Sequence, residues 1–140
     1  MKSVLIVLLI IVLVDCKPLQ DNHCEAINVE SMRSGTRNTP VGSIHFEGIG
    51  IHDTTAIDLL MHITDMDSGQ PVANASSEII SVQKLPSDST GLVNFIGFYH
   101  SGGTFNIKIS HPNYNCILID RLSFSSGQII RMEAKLKRRE

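Results

Sequence analysis

Six histidines, one run of alternating carboxylates and three cysteines are the residues of this chain whose types could do chemistry. His23, His45, His52, His62, His100 and His111 would announce a metal site if two stood at His-x-His or His-x-x-x-His spacing, which sets two imidazoles on one face of an element. None do. Only a long-range meeting, such as His100 with His111 at neighbouring turns, could assemble ligands; scattered solvent-facing imidazoles are the plainer reading. Asp65-Met66-Asp67-Ser68-Gly69 opens like a calcium loop. The bidentate Glu such a loop needs is out of register, since Glu78 follows Asp65 by thirteen residues and a strand-like stretch intervenes. An Asx turn is the expectation there. No Gly-x-Ser-x-Gly elbow occurs, and Cys116 falls inside a strand-like run, so no activated nucleophile is visible. With no Trp, two Tyr and a net charge of −2, the chain has no basic face with interleaved aromatics for nucleic acid. The expectation is no catalytic residue, no metal and no cofactor.

The cysteines are more informative. Met1 and Lys2 precede an unbroken apolar run, residues 4–14, that stops at Asp15-Cys16-Lys17-Pro18. One basic residue and about a dozen apolar ones make a secretory signal, too short to span a ~30 Å hydrocarbon core. Leu13-Val14-Asp15-Cys16 resembles a bacterial lipobox, in which Cys16 becomes the first residue and carries acyl chains; Asp15 stands where a small residue is usual. The other reading is an ordinary signal-peptidase cut after Cys16. Either way Cys24 and Cys116 remain, an even pair in an oxidising compartment. A bridge would close a loop of about 90 residues, for ~4–5 kcal/mol in the chain-entropy model. Cys116 also fits as a small buried apolar residue.

The elements that must position these groups read as strands. Residues 17–40 are poor in apolar periodicity and rich in Asn, Ser, Thr, Arg and Gly, which predicts a tether with one short ordered piece at 26–29. Alternation then predicts strands at 42–51, 57–63, 78–82, 92–99, 105–109, 116–124 and 128–137. Turn chemistry separates them at 67–71, 84–91, 100–103, 111–114 and 125–127. Ile107, Ile109, Ile130 and Met132 should face inward, and Lys108, Arg131 and Glu133 outward. No segment has a helical period, so the expected architecture is an antiparallel sandwich.

Ser68-Gly69-Gln70-Pro71-Val72, Asp88-Ser89-Thr90-Gly91-Leu92-Val93-Asn94-Phe95 and Phe105-Asn106-Ile107-Lys108-Ile109 followed by Pro112-Asn113-Tyr114 resemble the carboxypeptidase regulatory-like family over about residues 57–137. The resemblance implies a transthyretin-like (prealbumin-like) β-sandwich of about seven strands, a typically non-catalytic accessory or binding module. Asn113-Tyr114 stands where that family usually has Gly-Tyr. Hydroxyisourate hydrolase shares the fold, but its Tyr-Arg-Gly-Ser tail is absent here, where the sequence reads Lys137-Arg138-Arg139-Glu140.

Together these readings predict a signal peptide at 1–16, a tether at 17–40 and a sandwich at 41–140. The function expected is a non-enzymatic, envelope-associated module, lipid-anchored through Cys16, that binds a protein or polysaccharide and no nucleic acid. The turns bearing Lys84 and Asp88 and bearing Tyr99 and His100 are its candidate binding surface, because exposed loops on a rigid sandwich concentrate binding residues. The alternatives are a secreted metal-dependent or hydrolytic enzyme using the His-rich turns, and a soluble secreted eukaryotic module. The second would make Asn74-Ala75-Ser76 a glycosylation site.

Overall fold

Residues 128–136 alternate so regularly that they must lie with one face on a core, and they form the middle of one sheet. The computed structural model describes residues 23–30, 32–98 and 104–140. Among them are ten strands and no helix: β1 (Glu25–Asn28), β2 (Gly35–Thr39), β3 (Gly42–Ile51), β4 (Ile57–Asp65), β5 (Ser76–Ile79), β6 (Gln83–Pro86), β7 (Leu92–Phe98), β8 (Thr104–His111), β9 (Tyr114–Ser123) and β10 (Gln128–Leu136). They make two five-stranded sheets, ordered β1-β9-β8-β5-β6 and β2-β3-β10-β4-β7.

Each sheet holds one parallel pair, β1 with β9 and β10 with β4, so the sheets are mixed where antiparallel pairing was expected throughout. The reason is connectivity. β10 enters between β3 and β4, which run in opposite directions, and must be parallel to one of them. The segment read as a tether also departs from expectation, since β1 and β2 both fall inside residues 17–40. Their sequences are polar because β2 is a two-residue-turn hairpin partner on a sheet edge and only Ile27 of β1 turns inward. A disulfide joins Cys24 to Cys116 and ties the start of β1 to the start of β9. β6 occupies part of the stretch read as a turn at 84–91.

The core lies between the sheets. Ile107, Ile109, Ile130 and Met132 are all buried, with Arg131 and Glu133 exposed and Lys108 half-buried. In β4 the odd positions Leu59, Met61 and Ile63 face in, as the alternation requires. β7 breaks its own rhythm. Val93 and Phe95 face in, but the next inward residue is Phe98 and not Gly97, whose φ of 67° inserts one extra residue opposite β4. The bulge delivers Phe98 to an edge-on cluster with Phe105 and Phe124. Gly91 is required for a second reason: its φ is 77°, and a side chain there would run into the carbonyl of Ile63.

Two predictions check this packing in urea denaturation. Ile107→Ala should cost about 2–5 kcal/mol, whereas Glu133→Gln on the outer face should change stability by no more than about 0.5 kcal/mol. Reducing the Cys24–Cys116 bridge, whose partners are 92 residues apart, should remove ~4–5 kcal/mol in the chain-entropy model.

Candidate functional site

The strand directions give the sandwich two ends, and the chemistry divides between them. One end, here the disulfide end, gathers Cys24, the close of β4, the start of β9 and the residues after β10. The other, the open end, gathers the close of β3, the start of β4, the close of β9 and the start of β10.

At the disulfide end a buried carboxylate organises the turn after β4. Asp65 Oδ1 accepts the backbone N–H groups of Asp67 and Ser68 at 3.0 and 2.8 Å, an Asx turn in the place that resembled a calcium loop. Its Oδ2 accepts the Tyr114 hydroxyl at 2.9 Å and Arg138 Nε at 2.6 Å. The Ser68 N–H, then the Arg138 guanidinium, hold the Asp65 carboxyl well below the usual carboxylate range against the opposing effect of burial. Burial, reinforced by Asp65, pushes the Tyr114 hydroxyl upward, and Asp65 raises Arg138. Every acceptor position here is taken by the protein itself, so the cluster acts as a clasp between β4, β9 and the residues after β10.

Asp88 is likewise a structural cap. Its Oδ1 accepts the Thr90 hydroxyl and the N–H groups of Thr90 and Leu92, which depress its pKa, the Thr90 hydroxyl most. Lys84 stands exposed in β6, opposite Glu78. Asp88 lies at the disulfide end, since β7 begins beside His62 of β4, and the Tyr99–His100 turn lies outside the described residues. β7 runs from the Asp88 turn at the disulfide end to its own close at the open end. His111 Nδ1 accepts the Asn113 N–H at 3.1 Å, its ring packs edge-on to Tyr114, and burial lowers its pKa. Among the described residues no three His, Cys, Asp or Glu side chains are grouped to hold a metal ion.

The open end carries what the sequence did not reveal. β2 covers β3 only from Gly42 to Phe46, and among the described residues no strand pairs with residues 47–51 on that side. The uncovered stretch, Glu47-Gly48-Ile49-Gly50-Ile51, exposes Ile49 at 41% and Ile51 at 82%. Beside it runs a groove in two parts. A cleft of about 390 Å³ is lined by Gly48, Gly50, Ile51, Ser125, Ser126 and Gln128. A neighbouring one of about 570 Å³ shares Ser125 and Gln128 and extends to Glu30, Met32, Arg33 and Phe124. Gln128 is fixed between them: its Oε1 accepts the Ser125 N–H at 3.1 Å, and its Nε2 lies where a side chain at residue 48 would stand, 2.7 Å from that Cβ position. Gly48 therefore lets the amide lie against the strand.

The loop from β3 to β4 is pinned in the same region. His52 Nε2 and Asp58 Oδ2 are 2.7 Å apart, and Asp58 Oδ1 accepts the N–H of the bulged Gly97 at 2.7 Å. This histidine–carboxylate pair links three segments, because the His52 N–H also donates to Gly127. One signal for the groove was present in the sequence: Gly48 and Gly50 alternate with Ile49 and Ile51, a pattern that suits a close backbone approach. The chain matches no protein-family model and no curated protein.

The Asp65 clasp has a pH signature. A carboxyl held below its unfolded-state value of 3.8 contributes stability that is complete above that value and is lost as pH falls toward its folded-state value. The stability of the native protein to denaturant should therefore fall below pH about 4 more steeply than that of Asp65→Asn, which should be less stable at neutral pH. Parallel slopes for the two proteins would count against the clasp.

Proposed function

We propose that this chain is an exported, non-catalytic accessory module that holds a protein partner's extended segment along the open edge of β3, with the sandwich tethered to the cell envelope through acylated Cys16. The observation that carries the binding part is the five-residue run of uncovered backbone beside a groove with a fixed amide, Gln128. An exposed edge offers N–H and C=O groups to an added strand, and alternate side chains of that strand fall into neighbouring clefts. A polysaccharide is the second ligand class, favoured by Ser123, Ser125, Ser126 and Gln128 around the groove. Export is supported by the Cys24–Cys116 bridge, which persists in oxidising compartments.

The transthyretin-like, carboxypeptidase regulatory-like reading belongs to this proposal too. Its support is that β4 to β10, seven strands over Ile57–Leu136, span the stretch of the resemblance. The turn glycines Gly69 and Gly91 in that stretch both have positive φ. Asn113, which stands where the family usually has Gly, does not adopt a left-handed backbone.

Intact mass of the mature protein tests the anchor: a chain beginning with acylated Cys16 is expected, and a chain beginning at Lys17 would refute it. In pull-downs from envelope extracts, Ile51→Lys should reduce partner recovery about tenfold or more, the loss typical of an interface hot spot, while leaving the urea midpoint unchanged. Equal recovery would move the binding surface elsewhere.

A further inference from the structure

The turn before β5 carries a motif that neither the Asp65 clasp nor the open edge uses, Asn74-Ala75-Ser76. Asparagine, any residue but proline, then serine or threonine is the acceptor pattern for an Asn-linked oligosaccharide. A group so bulky and so strongly hydrated must stand at the surface, on a side chain that the fold does not need for itself. Asn74 is exposed, and its side-chain amide has no protein partner among the described residues. Its backbone is left-handed, with φ of 58°, a conformation that asparagine adopts more readily than most residues.

The turn is held by buried Ser87 instead. The Ser87 carbonyl accepts the Asn74 N–H at 3.0 Å, and the Ser87 N–H donates to the Ala75 carbonyl at 2.9 Å. Ser87 Oγ accepts the Ala75 N–H at 2.8 Å and donates to the Val72 carbonyl at 2.6 Å. With Ala75 packed in the core, Ser76 falls on the outer face of β5 beside Glu78, where both are half-buried. The Asp65 N–H donates to Gln70 and the Val72 N–H to Ile63, so the turn lies against the close of β4, at the disulfide end. The nine residues of β4 put the open end roughly 30 Å away. Through Ser87 the turn also borders β6 and β7, the last strands of their sheets, whereas the uncovered β3 edge lies toward the β2 side.

We propose that Asn74 is a glycosylation site, carrying an Asn-linked oligosaccharide attached during export. The donor is an oligosaccharide on a lipid diphosphate. Asn74 Nδ2 forms a bond to the anomeric carbon, the bond from that carbon to the phosphate oxygen breaks, and the lipid diphosphate leaves with the electron pair. The amide proton passes to a base of the transferase, and nothing is oxidised or reduced. Of the function proposed above only export is required; an acyl group on Cys16 is not. A glycan at this corner stands diagonally across the sandwich from the β3 edge and leaves that edge clear.

The test uses the mature protein from its own producing cells, its intact mass measured before and after a glycan amidase that releases the oligosaccharide and leaves aspartate. One oligosaccharide increment that the amidase removes, with aspartate then found at position 74, is the expected result. A left-handed turn residue alone would have no use for the Ser76 hydroxyl, so variants at that position separate the two roles. Ser76→Ala should lose the increment completely and Ser76→Thr should keep it, although neither changes Asn74. An unmodified Asn74 in the mature protein overturns the inference, as does an increment that survives in Ser76→Ala. The same mass reports Cys16 independently. A glycan without an acyl group overturns the anchor reading alone, and an acyl group without a glycan overturns this inference alone.

Discussion

The position of β10 between β3 and β4 is the constraint on which the rest depends. The strand is antiparallel to one neighbour and parallel to the other along nearly its whole length. Its inward residues Ile130, Met132, Ala134 and Leu136 all lie in the core. A one-residue slip would turn that set to solvent and bring Arg131, Glu133 and Lys135 inside, so the register is held by burial and not by local preference. The residues that follow then fall where Arg138 meets Asp65 and where Lys137 meets Asn115. Core closure and the clasp at the disulfide end are consequences of one strand's placement.

That placement also separates the two ends. The disulfide end is held by side chains that bond the protein itself: Asp65 through both oxygens, Tyr114 through its hydroxyl, Asp88 through Oδ1 and Asn115 through Nδ2. The open end has a pinned loop, through His52, Asp58 and Gly97, next to backbone that β2 does not reach. A rigid frame around an edge that no described strand pairs with suits recognition of an extended segment, since little ordering is left to be done on binding. Natural sheets usually blunt an exposed edge with charge or proline. Here the stretch beyond Glu47 is glycine and isoleucine.

Much of the sandwich was legible because alternation is a local signal. Ile107 with Ile109, and Ile130 with Met132, point inward because their neighbours in sequence are polar, and no partner strand need be known. What was hidden depends on partners distant in sequence. The strands β1 and β2 look like a tether, since an edge strand buries little and one inward Ile27 leaves no pattern. Strict alternation from Val93 and Phe95 would turn Gly97 inward, but its left-handed backbone shifts the rhythm to Phe98. The role of Asp65 needed Tyr114, 49 residues on, and Arg138, 73 residues on. Cys24 and Cys116 were visible as a pair, but their geometry comes from the parallel pairing of β1 with β9. The site divides in the same way: the turns stood out by composition, whereas the uncovered β3 edge exists because β2 begins only at Gly35, opposite Phe46.

The central claim is that recognition occurs at the open end, along β3. Site-specific photocrosslinking in producing cells addresses it directly, with the photoreactive residue placed at Ile51 in one protein and at Asp67, in the turn at the disulfide end, in another. Partner adducts from position 51, and none with that partner from position 67, are the predicted result. Adducts with the partner from position 67 and none from position 51 would contradict the account.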